Sequence, residues 1–252
     1  MVRRGFDSRS FVRTSNPAMR EDAFRGIIAG PRGRTMTVQG AVNKTAILLV
    51  LLIASASWTW STTTPDTARP WLIGSAILGF VVAMATIFVP RIAPFTAPIY
   101  ALVEGVFLGA ISEFFESYYP GLVLQAVGAT LGVFVAMLGL YTSRIIKVTQ
   151  RFRMGVAAAT LGIFLFYLVS FVLSLFGVSV PFINDPSPIG ILISVAIVIV
   201  AALNLVLDFD FIERGAAAGA PKSTEWYGAF SLLVTLVWLY LEMLRLLSKL
   251  RD

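Results

Sequence analysis

The chain has 252 residues, of which 57% are hydrophobic and 13% charged, with a formal net charge of +6; an ordinary soluble domain carries roughly 25% charged residues. Cysteine and histidine are both absent, which excludes a disulfide framework, thiolate or imidazole metal sites, Ser-His-Asp hydrolysis and a histidine pH sensor. Titration near neutral pH is left to carboxylates or the N-terminal amine.

The first 35 or so residues are rich in arginine, and no apolar stretch of the kind a signal peptide needs directly follows their opening "MVRRGFDSRSFVR". They are expected to form a disordered or interfacial basic tail lying on anionic lipid, with no nucleic-acid partner. Residues 36–252 then alternate long apolar stretches with short polar connectors. Seven stretches, at roughly 39–60, 70–89, 97–117, 121–142, 154–177, 188–209 and 227–247, come close to the ~20 residues that a bilayer core takes. Barrel strands would be about ten residues long and strictly alternating, so the expected fold is an all-α membrane protein. Trp58, Trp60, Trp71, Tyr118, Tyr119, Trp226 and Tyr227 fall at the ends of these stretches, as interfacial aromatics do.

Seven spans place 16 of the 20 Lys and Arg on the side of the N-terminus, which the positive-inside rule makes cytoplasmic. Arg245, Lys249 and Arg251 oppose the rule on the far side. Small residues recur at helical spacing as Ala101-Gly105-Gly109 and Gly128-Gly132-Ala136, a pattern that permits close helix packing.

A charge at the centre of a span costs roughly 2.5–3.5 kcal/mol, so Glu104 in the third span, Asp208 in the sixth and Glu242 in the seventh each need a reason to be there. Glu113 and Glu116, at the end of the third span, are expected to be solvated. In the seventh span Ser231, Thr235, Trp238, Glu242, Arg245 and Lys249 fall on one helical stripe; Ser194, Ala201, Asn204 and Asp208 form a second in the sixth. The two stripes belong to consecutive antiparallel helices and should face each other. Asp208 and Glu242 reach one depth only if the hairpin turns about Glu225, with the last helix entering the membrane near Phe230. In that case two carboxyls in a low-dielectric core share a proton and offer oxygen ligands to a hard cation such as Ca²⁺. Otherwise Glu242 pairs with Arg245 one turn away, and Asp208 caps or salt-bridges the end of its helix.

The segments "APFTAPIYALVEGVFLGAISEFFE" (94–116), "LNLVLDFDFIERG" (203–215) and "EWYGAFSLLVTLVWLYLEMLRLLSKL" (225–250) resemble the Bax inhibitor-1 family, in its bacterial YccA-like branch. The resemblance implies seven transmembrane helices, six surrounding a central C-terminal one, without an enzyme's chemistry or a bound cofactor. It implies a pH-sensitive calcium leak through an acidic pair on the last two helices. By motif position Asp208 and Glu242 would be that pair, with Ca²⁺ or H⁺ as the species handled. Asp210 adds a carboxylate beside the first acid, Asn204, Glu104 and Arg245 lie in supporting positions, and Arg91 would be a basic residue facing the pair. The branch further resembles proteins that bind and restrain a membrane-anchored AAA+ protease, which makes a regulatory protein acting through its N-terminal tail the alternative to a channel. The resemblance also implies a bacterial inner-membrane location.

Overall fold

The computed structural model describes residues 35–64, 67–177 and 185–251; the expected basic tail therefore lies outside the described residues apart from Thr35. Seven long helices follow in chain order: α1 (Val38–Thr62), α2 (Ala68–Phe88), α3 (Ala93–Tyr118), α4 (Leu122–Thr142), α5 (Gln150–Leu175), α6 (Pro188–Ala217) and α7 (Thr224–Lys249). A short 3₁₀ turn, Pro90–Ile92, leads into α3. All seven are long and apolar enough to cross a membrane, and no strand forms among the described residues beyond an isolated bridge between Thr35 and Pro221. Their starts are written locally: Thr37, Thr149 and Ser187 each accept a hydrogen bond from a backbone N–H of the first turn, and Pro188 follows its cap directly.

The last helix is the axis of the bundle. Of its most apolar window 61% is buried, against 44% or less in any other helix. It packs directly on α1, α3, α4 and α6, while α2 stands behind α3 and α5 stands behind α6. Leu205 on α6 and Leu233, Leu239 and Leu244 on α7 are fully enclosed there. The expected arrangement around a central C-terminal helix holds, with four helices in the first ring and two outside it.

The two small-residue stripes have different fates. A Cβ on Gly105 would collide with the Ser55 side chain and the Leu52 carbonyl, and one on Gly109 with the Ala56 carbonyl, so this stripe lets α1 and α3 touch backbone to backbone. A Cβ on Gly128 or Gly132 would meet nothing within 4 Å. The second stripe therefore packs no helix of this chain, because α4 turns that face outward.

A polar clasp closes the end of the bundle where the chain enters it. Glu225 on α7, with no exposed surface, accepts hydrogen bonds from the Thr37 N–H (2.9 Å) and hydroxyl (3.1 Å) and an ion pair from Lys44 on α1. Beside it the Met36 N–H donates to the Ala220 carbonyl at 2.7 Å. Truncating Glu225 leaves a largely enclosed ammonium unpaired, a class of change that costs about 3–5 kcal/mol. Glu225→Ala should therefore lower the unfolding temperature in mild detergent and speed hydrogen exchange at Met36 and Thr37, whereas Glu113→Ala should do neither.

Candidate functional site: a polar seam along the last helix

The stripes expected on the sixth and seventh spans do meet, and α5 adds a third wall. On α7, Ser231, Thr235, Trp238, Glu242, Arg245 and Lys249 follow one another at helical spacing, and all six bond to side chains or backbone of α5 and α6 or to one another along the stripe. The seam has three levels.

At the middle level Asp208, 7% exposed, accepts hydrogen bonds from the Ser231 and Thr235 hydroxyls, each at 2.6 Å. Among the described residues no cation stands within ion-pair distance of it. One turn along α6, Asn204 donates to the Thr160 hydroxyl on α5 at 2.8 Å and to the Val200 carbonyl at 2.9 Å.

The level nearer the far end is built on Glu242, 2% exposed. Its carboxylate accepts from the Tyr167 hydroxyl of α5 (2.9 Å), from the Trp238 indole N–H (3.3 Å), and from Arg245 through both oxygens (3.1 Å each). Arg245 also donates to the Tyr167 hydroxyl, with its guanidinium 4.9 Å from the centre of that ring. Further out, Lys249 donates to the Gly190 carbonyl and the Ser194 hydroxyl, both at 3.0 Å. Asp185, outside the spans, is held below the ordinary carboxylate range by the Ser187 hydroxyl and N–H.

The third level lies toward the α6–α7 turn. Asp210 faces Arg153 of α5 (3.1 Å) and Arg214 one turn on (2.7 Å), and Glu213 accepts from Tyr141 and pairs with Arg144 at 2.5 Å.

Asp208 and Glu242 are not in contact; they have separate partners on separate levels. Lys249 meets Ser194 while Asp208 meets Ser231 and Thr235, a register that centres the hairpin on Pro221 instead of Glu225. The reason is that α7 is already helical from Thr224, so that Trp226 lies inside the helix and not in an interfacial turn before it. Thr235 and Glu242 are then seven residues apart, about 10 Å along the axis. Glu242 takes the Arg245 partner that sequence spacing offered, but Asp208 neither caps nor salt-bridges, a role that falls to Asp210. Arg91 is exposed on the 3₁₀ turn and does not join the acids. Glu104 hydrogen-bonds with Tyr100 one turn back and abuts Gly79 of α2, away from the seam. Glu116 is not merely solvated: it accepts from the backbone N–H groups of Gly121 (2.5 Å) and Val123 (3.1 Å) and so fixes the α3–α4 turn.

Three contributors escape sequence reasoning. Thr160 and Tyr167 sit two helical turns apart on one face of an otherwise apolar span, a spacing that would have marked that face as inward. Glu225 reads as a connector residue until Lys44 is seen across from it.

Chemically, the middle level offers two carboxylate and two hydroxyl oxygens, all hard donors suited to a hard cation, but fewer than the six to eight that a resident calcium takes. No group of three or more acidic side chains gathers anywhere among the described residues. The arrangement suits a proton or a cation in transit.

Comparison with curated proteins gave no match. A family model described as Bax inhibitor 1 like matches residues 16–252, a range that takes in all seven helices. By that match the chain belongs to the Bax inhibitor 1-like family, and it is read here as a membrane protein of that family.

Proposed function

We propose that this protein is a proton-gated cation leak channel, with Ca²⁺ as the ion, whose path follows the seam between α5, α6 and α7. The observation that carries this reading is Asp208: a carboxyl enclosed among membrane-crossing helices, held by two hydroxyls and by no cation among the described residues. A charge at that depth costs roughly 2.5–3.5 kcal/mol, so gaining or losing one proton changes the energy of the path by a comparable amount. Trp238 stands between the Asp208 and Glu242 levels and serves as the barrier. The Glu242–Arg245–Tyr167 cluster forms the far mouth. The Lys and Arg distribution orients the N-terminus to the cytoplasm, in keeping with a bacterial inner-membrane protein of the YccA-like branch.

A second reading is favoured by the bridge from Met36 to Ala220, which ties the base of the N-terminal segment to the α6–α7 turn. In this reading the tail engages a membrane protease and the bundle acts as its regulator.

In proteoliposomes holding a calcium dye, flux should vary with pH between about 6 and 8. Asp208→Asn should make it pH-independent and Asp210→Asn should not; absence of flux at every pH overturns the channel. Trp238→Ala should raise basal flux several-fold at all pH values, read in the same assay. Deleting residues 1–34 should leave flux intact, whereas a change in co-purifying protease with no flux in either form would favour the regulator.

A further inference from the structure

Two cavities lie end to end between α1 and α4. The larger, about 590 Å³, runs along α1 from Val38 past Thr45 and Ala46 to Leu49, faces α4 and α6, and ends at Tyr141 and Arg144. The second, about 320 Å³, meets it at Leu49 and Phe134 and continues to Trp60. They exist because α1 and α4 each pack on α7 and not along one another. The larger one meets the polar seam only at its third level, through Tyr141, Arg144 and Glu213, and the second does not touch it.

The larger cavity has the dimensions of one leaflet. From Val38 to Leu49 the helix rises about 16 Å, half of the ~30 Å hydrocarbon thickness. The void of about 590 Å³ forms an elongated bore along that length. It admits a single hydrocarbon chain, whose carbons sit about 4 Å from their neighbours. Its walls are apolar because the Thr45 hydroxyl is spent on the Ala41 carbonyl.

The mouth is polar. Arg144 adopts a left-handed backbone (φ 59°), uncommon for a residue with a side chain, and this turns its guanidinium back over the Tyr141 ring and onto Glu213. One Nη is used on Glu213 and the side chain remains 64% exposed, which leaves guanidinium donors for a phosphate.

We propose that this cavity binds one anionic glycerophospholipid from the leaflet on the N-terminal side, with an acyl chain between α1 and α4 and its phosphate on Arg144. Native mass spectrometry of the full chain in mild detergent, titrated with phosphatidylglycerol and with phosphatidylcholine of the same chains, tests it. One saturable lipid per chain is expected, with phosphatidylglycerol bound at least fivefold more tightly. Ala46→Trp, which fills the bore from an exposed position, should weaken binding at least tenfold. Arg144→Gln should bring the two lipids close to parity, and Arg151→Gln, exposed but outside the cavity, should change nothing. Should Ala46→Trp fail to fold, Ala46→Cys carries a polarity-sensitive fluorophore as the sole thiol label of a chain without cysteine, and phosphatidylglycerol should shift its emission saturably. Equal binding by wild type and Ala46→Trp, or no headgroup preference in the wild type, would mean annular lipid only and overturns the proposal. Binding that emerges only after residues 1–34 are removed would assign the cavity to that segment, and a dimer abolished by Ala46→Trp would assign it to a second copy; either result overturns it.

Discussion

Two hydroxyls on the last helix, Ser231 and Thr235, hold the carboxylate of Asp208, and with it they hold the register of the α6–α7 hairpin. Sliding α7 by one turn, about 5.4 Å, would cost Asp208 one of these two hydroxyls, because Ser231 and Thr235 are themselves one turn apart. The same slide would pull Lys249 off Ser194 and Gly190 and Glu225 off Thr37. Apolar packing alone tolerates such shifts because leucine meets leucine at many offsets. The polar pairs give this bundle a single answer.

Membrane helices gain little from hiding apolar surface from one another, since lipid is as apolar as leucine. Cohesion here comes from two other sources. Gly105 and Gly109 bring α1 and α3 into backbone contact, and buried polar groups are satisfied across helices, as Ser112 is by Tyr240 at 2.7 Å. The outer helices α2 and α5 bury the least of their apolar windows, 17% and 11%, and α5 is held by polar ties through Arg153, Thr160 and Tyr167.

The helices themselves were legible in the chain because twenty apolar residues in a row have few other uses. The polar stripes of the sixth and seventh spans were legible too, since helical periodicity states which residues share a face. What periodicity does not state is how far one helix is slid along the next. That offset depends on the first helical residue of α7, and "PKSTEWYGAF" supports a start at Thr224 or three residues later equally well on local grounds. A shift of three or four residues separates a carboxyl pair from two independent sites, and so Glu242 fell to Arg245 and Asp208 to hydroxyls. The roles of Lys44 and Tyr167 depend on neighbours 181 and 75 residues away, distances over which a single sequence carries no signal.

The helix on which four others pack, α7, is made after all six of its companions. While the ribosome is still producing α7, the four helices that pack on it face a centre with nothing in it, and Asp208, Lys44 and Tyr167 await partners that have not left the exit tunnel. Even the final turn matters, because Lys249 and Arg251 reach back to α6 and to the α3–α4 turn. Assembly in the bilayer is therefore completed only once α7 has entered it, and a nascent chain short of that helix presents unmet polar groups, the state that membrane quality control is built to notice.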